Sequence, residues 1–508
     1  MSFQQTISAE QGPQAIQPVW LVRQCRKLRS FGHWAGTRAA WPCRSVLLAL
    51  LAGAALRLLF ILRYPEFDSD SEVYGTIARN LLLHHAYALD GPFRPTLVRL
   101  PGYPLFLAAI FSVFGIGEYA LVRPIQMVVD LASCLLIAGF VRDHASRRAA
   151  RWALWLAALC PFTANLTAVP LTETDSIFCV ALAMFAAGRL IGRIRSQGRL
   201  PWGYLTLTTF ALSSAILLRP DGGLLAAAIV PAIWWYRRRD AASASLRAAL
   251  VCALLAVLPL VPWTIRNYRV FHVFQPLAPR HANDPSENPF PGWVRWTKTW
   301  LVEYVSSPEV YWRGDDLTID IRLLPGRAFD SAEEYRQTDK LLFDYNDLCS
   351  LNPELDARFA ALAEQRISRH PFRYYVALPL ARLADMWLRP RTEYLWDALP
   401  IRWWEWRRHP AGSLFAFCYG LLNAALLTLA AVGFLRRRVP FAAMLGVCLL
   451  IRCLLLTTME NAEPRYTLEA FPIVIAAAAL AIAPRPKTVN ESASEQATAR
   501  PEPATKHG

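Results

Sequence analysis

The chain is poor in charge. Of its 508 residues only 18% are Asp, Glu, Lys or Arg, while 54% are hydrophobic, with 18 Trp and 25 Phe among them. That balance excludes a string of soluble domains and points to a polytopic membrane protein. Paired cysteines are lacking as well. The ten cysteines are scattered singly, and Cys134, Cys160, Cys179, Cys252, Cys418, Cys448 and Cys453 lie within apolar runs. No Cys-x-x-Cys or His/Cys ligand spacing occurs, which excludes a disulfide framework and a structural zinc site. No small-residue cleavage site follows the first apolar run. It ends in Arg63-Tyr64-Pro65-Glu66, so it reads as an uncleaved span and not a signal peptide.

What the chain does have is a net charge of +15, unevenly placed. The basic residues cluster in short segments between apolar runs, which is a topology signal and not a nucleic-acid patch. Residues 1–44 form a basic cytoplasmic tail with Arg23, Arg26, Lys27, Arg29, Arg38 and Arg44. The first span, 45–62, is near the minimum of about 17 residues needed to cross the hydrocarbon. The pattern Val73, Ile77, Leu81 then predicts a helix lying in the interface. Residues 104–115 are too few for a span, and crossing there would turn Arg142, Arg147, Arg148 and Arg151 outward. They are expected to form a second interfacial or re-entrant helix, with 119–141 as the return span. Further spans are expected at 152–169, 176–192, 202–218, 224–235, 247–263, 413–435, 441–456 and 467–482. The total is about 10, and up to 12 if 371–388 also crosses. The organisation expected is therefore a tail (1–44), a catalytic membrane region (45–268), an external region with interfacial helices (269–411), C-terminal membrane helices (412–483) and a disordered cytoplasmic tail (484–508), rich in Pro, Ala, Glu, Ser and Thr.

On this topology the unusual polar residues share one side. Asp68 and Asp70, Arg94 and Arg99, Glu173 and Asp175, Arg219 and Asp221, Arg266 and Asn267, and Glu463 and Arg465 all sit at the outer ends of spans. Acids paired with arginines at one membrane level suit an anionic lipid head group. Each residue also has an ordinary reading. Asp68 and Glu72 fit a helix start and Asp70 could be a helix N-terminal acid, Glu173 could cap the next span, and Arg99 and Arg465 could snorkel. Within the spans, Arg123 and Asp130 fall seven apart on one face and read as structural, and Arg452 is costly unless paired. The tryptophans at 293–300 and 403–406 read first as an interfacial belt and second as sugar-stacking platforms.

At these residues the chain resembles a known class. Asp70-Ser71-Glu72-Val73-Tyr74 with Ile77-Ala78-Arg79-Asn80-Leu81, followed by Arg99-Leu100-Pro101-Gly102-Tyr103-Pro104-Leu105-Phe106, resembles the first loop of the membrane glycosyltransferases of the C type (GT-C). The nearer relatives are bacterial members of the protein O-mannosyltransferase and aminoarabinose-transferase group. Arg123 with Gln126, Leu171-Thr172-Glu173, Leu218-Arg219-Pro220, Pro262-Trp263 with Arg266-Asn267-Tyr268, and Pro464-Arg465-Tyr466 with Pro472 extend the similarity. It is strong over 45–270 and weak over 412–483.

The resemblance implies an all-α, GT-C-like bundle of about 10 to 12 membrane helices with two interfacial helices in the first external loop. It also implies a polyprenyl-phosphate-linked sugar as donor and membrane lipid as surroundings, with a lipid, glycan or protein acceptor left open. Asp70 is the implied general base, with Asp68 as its alternative and Glu173 as a further acid. Arg99, Arg465 and Arg219 are the donor-phosphate candidates, and Tyr74, Tyr103 and Tyr466 the substrate-binding ones. No cofactor is implied with certainty; Asp68-Ser69-Asp70 leaves a divalent metal open. The rival reading is a non-enzymatic transporter or flippase of lipid-linked sugars, which would hold its charges near the bilayer midplane and often show repeats. A ligase using a diphosphate-linked oligosaccharide differs only in donor.

Overall fold

The structure is a computed structural model that describes residues 43–483 apart from 92–93, 315–316, 396–401, 403 and 437. The expected basic tail and disordered C-terminal tail lie outside the described residues, as does Trp403. Among the described residues the fold is all-α except for one two-residue hairpin, β1 (Ala88–Leu89) and β2 (Arg94–Pro95), paired antiparallel. Among the described residues six helices are long and apolar enough to cross a membrane: Arg44–Arg63, Tyr119–His144, Glu173–Gln197, Arg239–Phe271, Pro410–Leu435 and Pro464–Ile482. Shorter apolar helices stand at Gly102–Phe114, Trp202–Leu218 and Ala442–Thr457. This is an all-α integral membrane protein.

The first helix, α1 (Cys43–Arg63), leads into α2 (Ser69–His84). Asp68 is the N-cap of α2: its Oδ1 accepts from the Asp70 amide at 3.0 Å, satisfying one of the donors a helix start leaves orphaned. Tyr74, Ile77 and Ala78 face inward. The next helix, α3 (Gly102–Phe114), is 13 residues long, as the short apolar run predicts. It can sit against the chain at Leu217 because residue 102 is glycine. A Cβ there would lie 2.6 Å from the Leu217 carbonyl oxygen.

The return helix, α4 (Tyr119–His144), matches its expected span. The expected span at 152–169 is not continuous. It is α5 (Arg147–Ala158) and α6 (Pro161–Leu166), with extended backbone at Cys160 between them. Pro161 is the cause, because the residue before a proline is pushed out of the helical region. Next come α7 (Glu173–Gln197), α8 (Trp202–Leu218), α9 (Gly223–Trp235), α10 (Ala242–Val257) and α11 (Leu260–Phe271). Between the last two, the helix is interrupted at Leu258 and Pro259, and the run continues past the end expected at 263.

Arg123 and Asp130 do not pair with each other, although they share a face. Asp130 instead meets Arg57 of α1, whose Nε donates to its Oδ2 at 2.7 Å while Nη1 reaches the carbonyls of Gly53 and Ala158 at 2.8 and 2.7 Å. Arg123 donates to the carbonyls of Ala168 at 2.9 Å and Glu66 at 3.1 Å. Both contacts tie loop backbone to helix, which is how a polar group inside a span is tolerated.

Residues 291–388 share a core with Leu456 and Ala462. Helix α12 (Pro291–Lys298) packs on α14 (Pro353–Arg369), with α13 (Ala332–Leu348) alongside. Asp356 accepts from the backbone amides of Gly292 and Trp293 at 3.1 and 2.8 Å, capping α12. Trp293, Trp296 and Trp300 are buried there with Tyr345 and Phe359. They are neither an interfacial belt nor sugar platforms; three indoles spaced three and four residues apart fill a core. Trp404 and Trp406, by contrast, are exposed. The run at 371–388 is a π-turn over Arg373–Ala377 followed by α15 (Leu378–Leu388). It is not among the six long apolar helices, and its Arg382 is buried against the carbonyls of Leu301 and Lys298. The last helices are α16 (Pro410–Leu435), α17 (Ala442–Thr457) and α18 (Phe471–Ile482). Where α16 meets α18, a Cβ at Gly433 would lie 2.2 Å from the Ala477 carbonyl oxygen, so only glycine permits the approach.

Candidate active site

Five regions separated in sequence meet at one end of the helices: the start of α2, the loop before α3, the start of α7, the start of α9, and the turn Pro464–Ala470 that leads into α18. Asp70 lies at their junction. Its Oδ1 accepts from Arg99 Nη2 at 2.5 Å and its Oδ2 from Arg465 Nη2 at 3.1 Å. Burial pushes the Asp70 carboxyl up, but Arg99 and Arg465 outweigh it and hold it below the usual carboxylate range. Arg99 is raised in turn by Asp70, against the opposing effect of its own burial. Its guanidinium stands over the Tyr74 ring, 5.6 Å from the centroid.

Two arginines at one place would repel each other without an anion between them. Arg99 and Arg465 do converge, and the anion between them is the carboxylate of Asp70, not a foreign one. Arg465 is further surrounded. Its Nε is ion-paired with Glu463 and lies 3.7 Å from Glu173, and its Nη1 donates to the Tyr394 hydroxyl at 2.9 Å. That hydroxyl donates onward to Asp68 Oδ2 at 3.0 Å.

Asp68 is thus occupied twice, by the α2 cap and by Tyr394, while both Asp70 oxygens are held by arginines. The guanidiniums of Arg99 and Arg465 beside this pair favour an anion over a divalent cation. Among the described residues no three His, Cys, Asp or Glu side chains are grouped to hold a metal ion.

Behind this layer lies a second one. Arg219 Nη1 donates to Glu173 Oε1 at 3.0 Å, and its Nε lies 3.2 Å from Asp221 and 3.1 Å from Glu469. Arg452, the costly residue of α17, meets Asp221 at 3.1 Å and Glu469 at 2.9 Å and donates to the Tyr466 carbonyl. Burial alone raises the Asp221 carboxyl; Arg219 and Arg452 more than reverse it and bring it below its ordinary value. Glu173 is buried and does not cap α7; Thr172 holds the capping position, and its side chain makes no capping bond. Glu463 accepts from Asn461 at 2.8 Å and from the Tyr466 hydroxyl at 2.9 Å, and burial raises its pKa.

The tyrosines differ in place. Tyr74 packs edge-on against Tyr103 with centroids 5.0 Å apart, and desolvation pushes its hydroxyl up to about 12. Tyr103 is fully buried and donates to Gln126 at 3.2 Å, which puts it in the wall and not on a surface a sugar could touch. Tyr466 lies between the two layers, its ring under Arg219 at 5.2 Å and Arg465 at 5.7 Å. Arg266 does not reach this cluster. It clamps the hairpin loop by donating to the carbonyls of Thr96 and Tyr87 at 2.6 and 2.7 Å.

All the candidate acids and arginines therefore fall in one cluster: Asp68, Asp70, Glu173, Arg99, Arg219 and Arg465. Tyr394 and Glu469 belong to it although the sequence does not single them out. Tyr394 lies in a stretch with no family resemblance, and Glu469 sits inside an apolar run, where only its cost in a membrane marks it.

Fold and site together define an all-α membrane protein with a buried acid–arginine cluster at one end of its helices. Residues 94–263, a third of the chain, match the model of the dolichyl-phosphate-mannose-protein mannosyltransferase family. The match falls where the resemblance read from the sequence is strongest, and takes in Arg99, Tyr103, Glu173 and Arg219 but not Asp70 or Arg465. No curated protein sequence matches the chain. Among solved structures, the apo oligosaccharyltransferase of Archaeoglobus fulgidus is 16% identical with a TM-score of 0.47, over 87% of this chain and 50% of that one. The same archaeon's oligosaccharyltransferase AglB, in complex with an inhibitory peptide and a dolichol-phosphate, is 13% identical with a TM-score of 0.45, over 89% of this chain and 54% of that one. ArnT from Cupriavidus metallidurans bound to undecaprenyl phosphate is 13% identical with a TM-score of 0.34, over 88% of this chain and 77% of that one. The chain spans about half the length of the archaeal enzymes. Likenesses with TM-scores this low carry no argument about the reaction.

Proposed function

We propose that the chain is an inverting glycosyltransferase that moves a sugar, a hexose or pentose, from a polyprenyl-phosphate donor to a lipid, glycan or protein acceptor on the external face of the cell membrane. The observation that carries the reading is the Asp70 carboxylate within hydrogen-bond reach of two guanidiniums, Arg99 and Arg465. The family match over 94–263 supports it.

These residue types suit the chemistry. An alcohol is a poor nucleophile, so a carboxylate takes its proton as oxygen bonds to the anomeric carbon. The bond from that carbon to the phosphate oxygen breaks, and polyprenyl phosphate leaves as an anion. It needs cations and no general acid. Arginines supply them through bidentate contacts that lysine reproduces poorly. Attack from the face opposite the leaving group inverts the anomeric centre. In this reading Asp70 is the base, Arg99 and Arg465 hold the phosphate, and Glu173 with Arg219 fixes the wall behind them. The charges gather at one end of the helices, whereas a transporter would centre them in the bilayer.

The test separates enzyme from transporter. Lipid extracts of a deletion strain should accumulate a polyprenyl-phosphate-linked sugar relative to the parent. The purified protein in detergent, given that extract and a membrane acceptor fraction, should release polyprenyl phosphate free of sugar. Donor recovered intact by mass spectrometry would refute the transferase reading.

A further inference from the structure

The loop between α11 and α12, residues 272–290, carries neither helix nor strand. Connections this long without structure of their own are uncommon and usually have a task. Asp284 of this loop is buried, and its Oδ1 accepts from the Leu97 amide at 2.9 Å and from the Thr96 hydroxyl at 3.2 Å. That hydroxyl accepts in turn from the Val98 amide at 3.2 Å. Val273, Leu277 and Ala278 pack against the cluster of Leu97, Leu100 and Trp263, so the chain before and after Arg99 is anchored under the loop. Glu287 steadies the loop itself, accepting from the Asp284 amide at 2.9 Å and pairing with Arg94. Toward the other arginine, Arg280 Nε donates to Glu460 at 3.1 Å and Nη2 to the Thr458 carbonyl at 2.5 Å, on the stretch that leads from α17 to Arg465. Among the described residues 94–99 and 458–465 share no direct hydrogen bond or ion pair. They are joined by Asp70, which takes both guanidiniums, and by this loop, which takes both backbones.

We propose that Asp284 and Arg280 are positioning residues of the transferase: Asp284 places Arg99 and Arg280 places Arg465, so that one loop sets both guanidiniums for the donor's phosphate. The proposal rests on the transferase reading. The donor phosphate is a diester with a single negative charge, so its hold depends on where the guanidiniums stand and not on a surplus of charge. A charge-assisted hydrogen bond is strong only when close and aligned. A misplacement of about 1 Å can cost on the order of 100-fold. The head of a long arginine is placed no better than the backbone that carries it. Other contacts steady one stretch each. The Tyr87 hydroxyl donates to the Arg99 carbonyl at 3.0 Å, and Lys298 donates to the Thr458 carbonyl at 2.9 Å. The 272–290 loop holds both. Asp284 is itself an anion, which gives the test its sign. By charge alone its removal would favour an anionic ligand; by position it weakens the site.

The experiment measures binding to the full-length protein in detergent. Farnesyl methyl phosphate, a phosphodiester of single charge, serves as probe and farnesol as its neutral counterpart. Asp284→Ala and Arg280→Gln should each weaken binding of the diester about tenfold, the scale of one charge-assisted bond lost. Asp284→Asn keeps the oxygen that accepts from Leu97 and should stay within about threefold of the parent. Farnesol should bind all of them alike. The decisive readout is a double-mutant cycle. In Arg99→Gln, adding Asp284→Ala should cost no more than about twofold, because the guanidinium it places is gone, while Arg280→Gln still costs its full factor. In Arg465→Gln the two exchange roles. If Asp284→Ala does not fold, Thr96→Val removes the hydroxyl bond to Asp284 at nearly unchanged shape and takes its place in the cycle. Parental or tighter binding by the Asp284 variant would overturn the proposal while leaving the donor class intact. An equal loss in both arginine backgrounds would overturn it too, since a general loosening of the fold would suffice. If the parent binds the diester no better than farnesol, the lipid-phosphate reading falls and the proposal with it.

Discussion

At the scale of single residues the cluster is decided by which charges face each other. Asp70 meets two cations and carries the proposed proton transfer. Asp70→Asn keeps the shape and cannot accept the proton, so turnover should fall by about 100-fold or more, the scale of a general-base contribution, with near-normal expression. If the loss appears in Asp68→Asn and not in Asp70→Asn, the base lies two residues earlier. Arg465 allows a graded test. Lysine keeps the charge and loses the fork, so Arg465→Lys should raise the donor concentration needed for half-maximal transfer by about tenfold. Arg465→Ala should do worse and also lower the melting temperature, because it leaves Glu463 buried without its cation and takes one of two cations from Asp70 and from Glu173. Parental rates across donor concentrations in both variants would reduce Arg465 to an anchor.

At the scale of elements, α1 and α4 are tied by a buried ion pair that a sequence cannot announce. Asp130 and Arg57 are 73 residues apart, and each alone reads as an expensive charge in an apolar run. Arg57→Met should destabilise the fold by about 3–5 kcal/mol, since it leaves Asp130 buried without a cation. The double change Arg57→Met with Asp130→Leu should recover much of that loss, measured as thermal stability in detergent. No recovery would mean that the guanidinium's bonds to the Gly53 and Ala158 carbonyls matter more than the pair.

Much of this level is legible in the sequence. The span at 202–218 is bounded by Pro201 on one side and by Arg219 and Pro220 on the other, and the helix observed is Trp202–Leu218. The short helix at Gly102–Phe114 follows from the length of its apolar run and the placement of the later arginines. The break at Pro161 is not legible in the apolar run, because hydropathy does not register a backbone kink. Nor is the Trp293–Trp300 core, because an indole looks the same at a membrane interface and inside a packed core. Among the site residues, Asp70 and Arg465 are visible through their neighbours in sequence. That Asp70 fills the gap between its own arginines is not, because the partner of a charge 395 residues away is fixed only by the fold.

At the scale of the whole molecule the charge pattern makes a claim about sides. Reporters fused after Arg148, Arg195 and Arg438 should be cytoplasmic, and those within 64–103 and 270–400 external, because short basic loops stay inside. A cytoplasmic signal from 64–103 would remove the external site. The same separation in sequence has a consequence for how the chain is made. A ribosome moving at 5–20 residues per second needs about 20 to 80 s to travel from Asp70 to Arg465. Throughout that interval the nascent chain already holds Asp70 and Arg99 in the membrane but lacks its second guanidinium. Under the proposed function such a half-made chain carries one of the two arginines for the donor phosphate, and synthesis that stalls before Pro464 is expected to leave an insert without transferase activity.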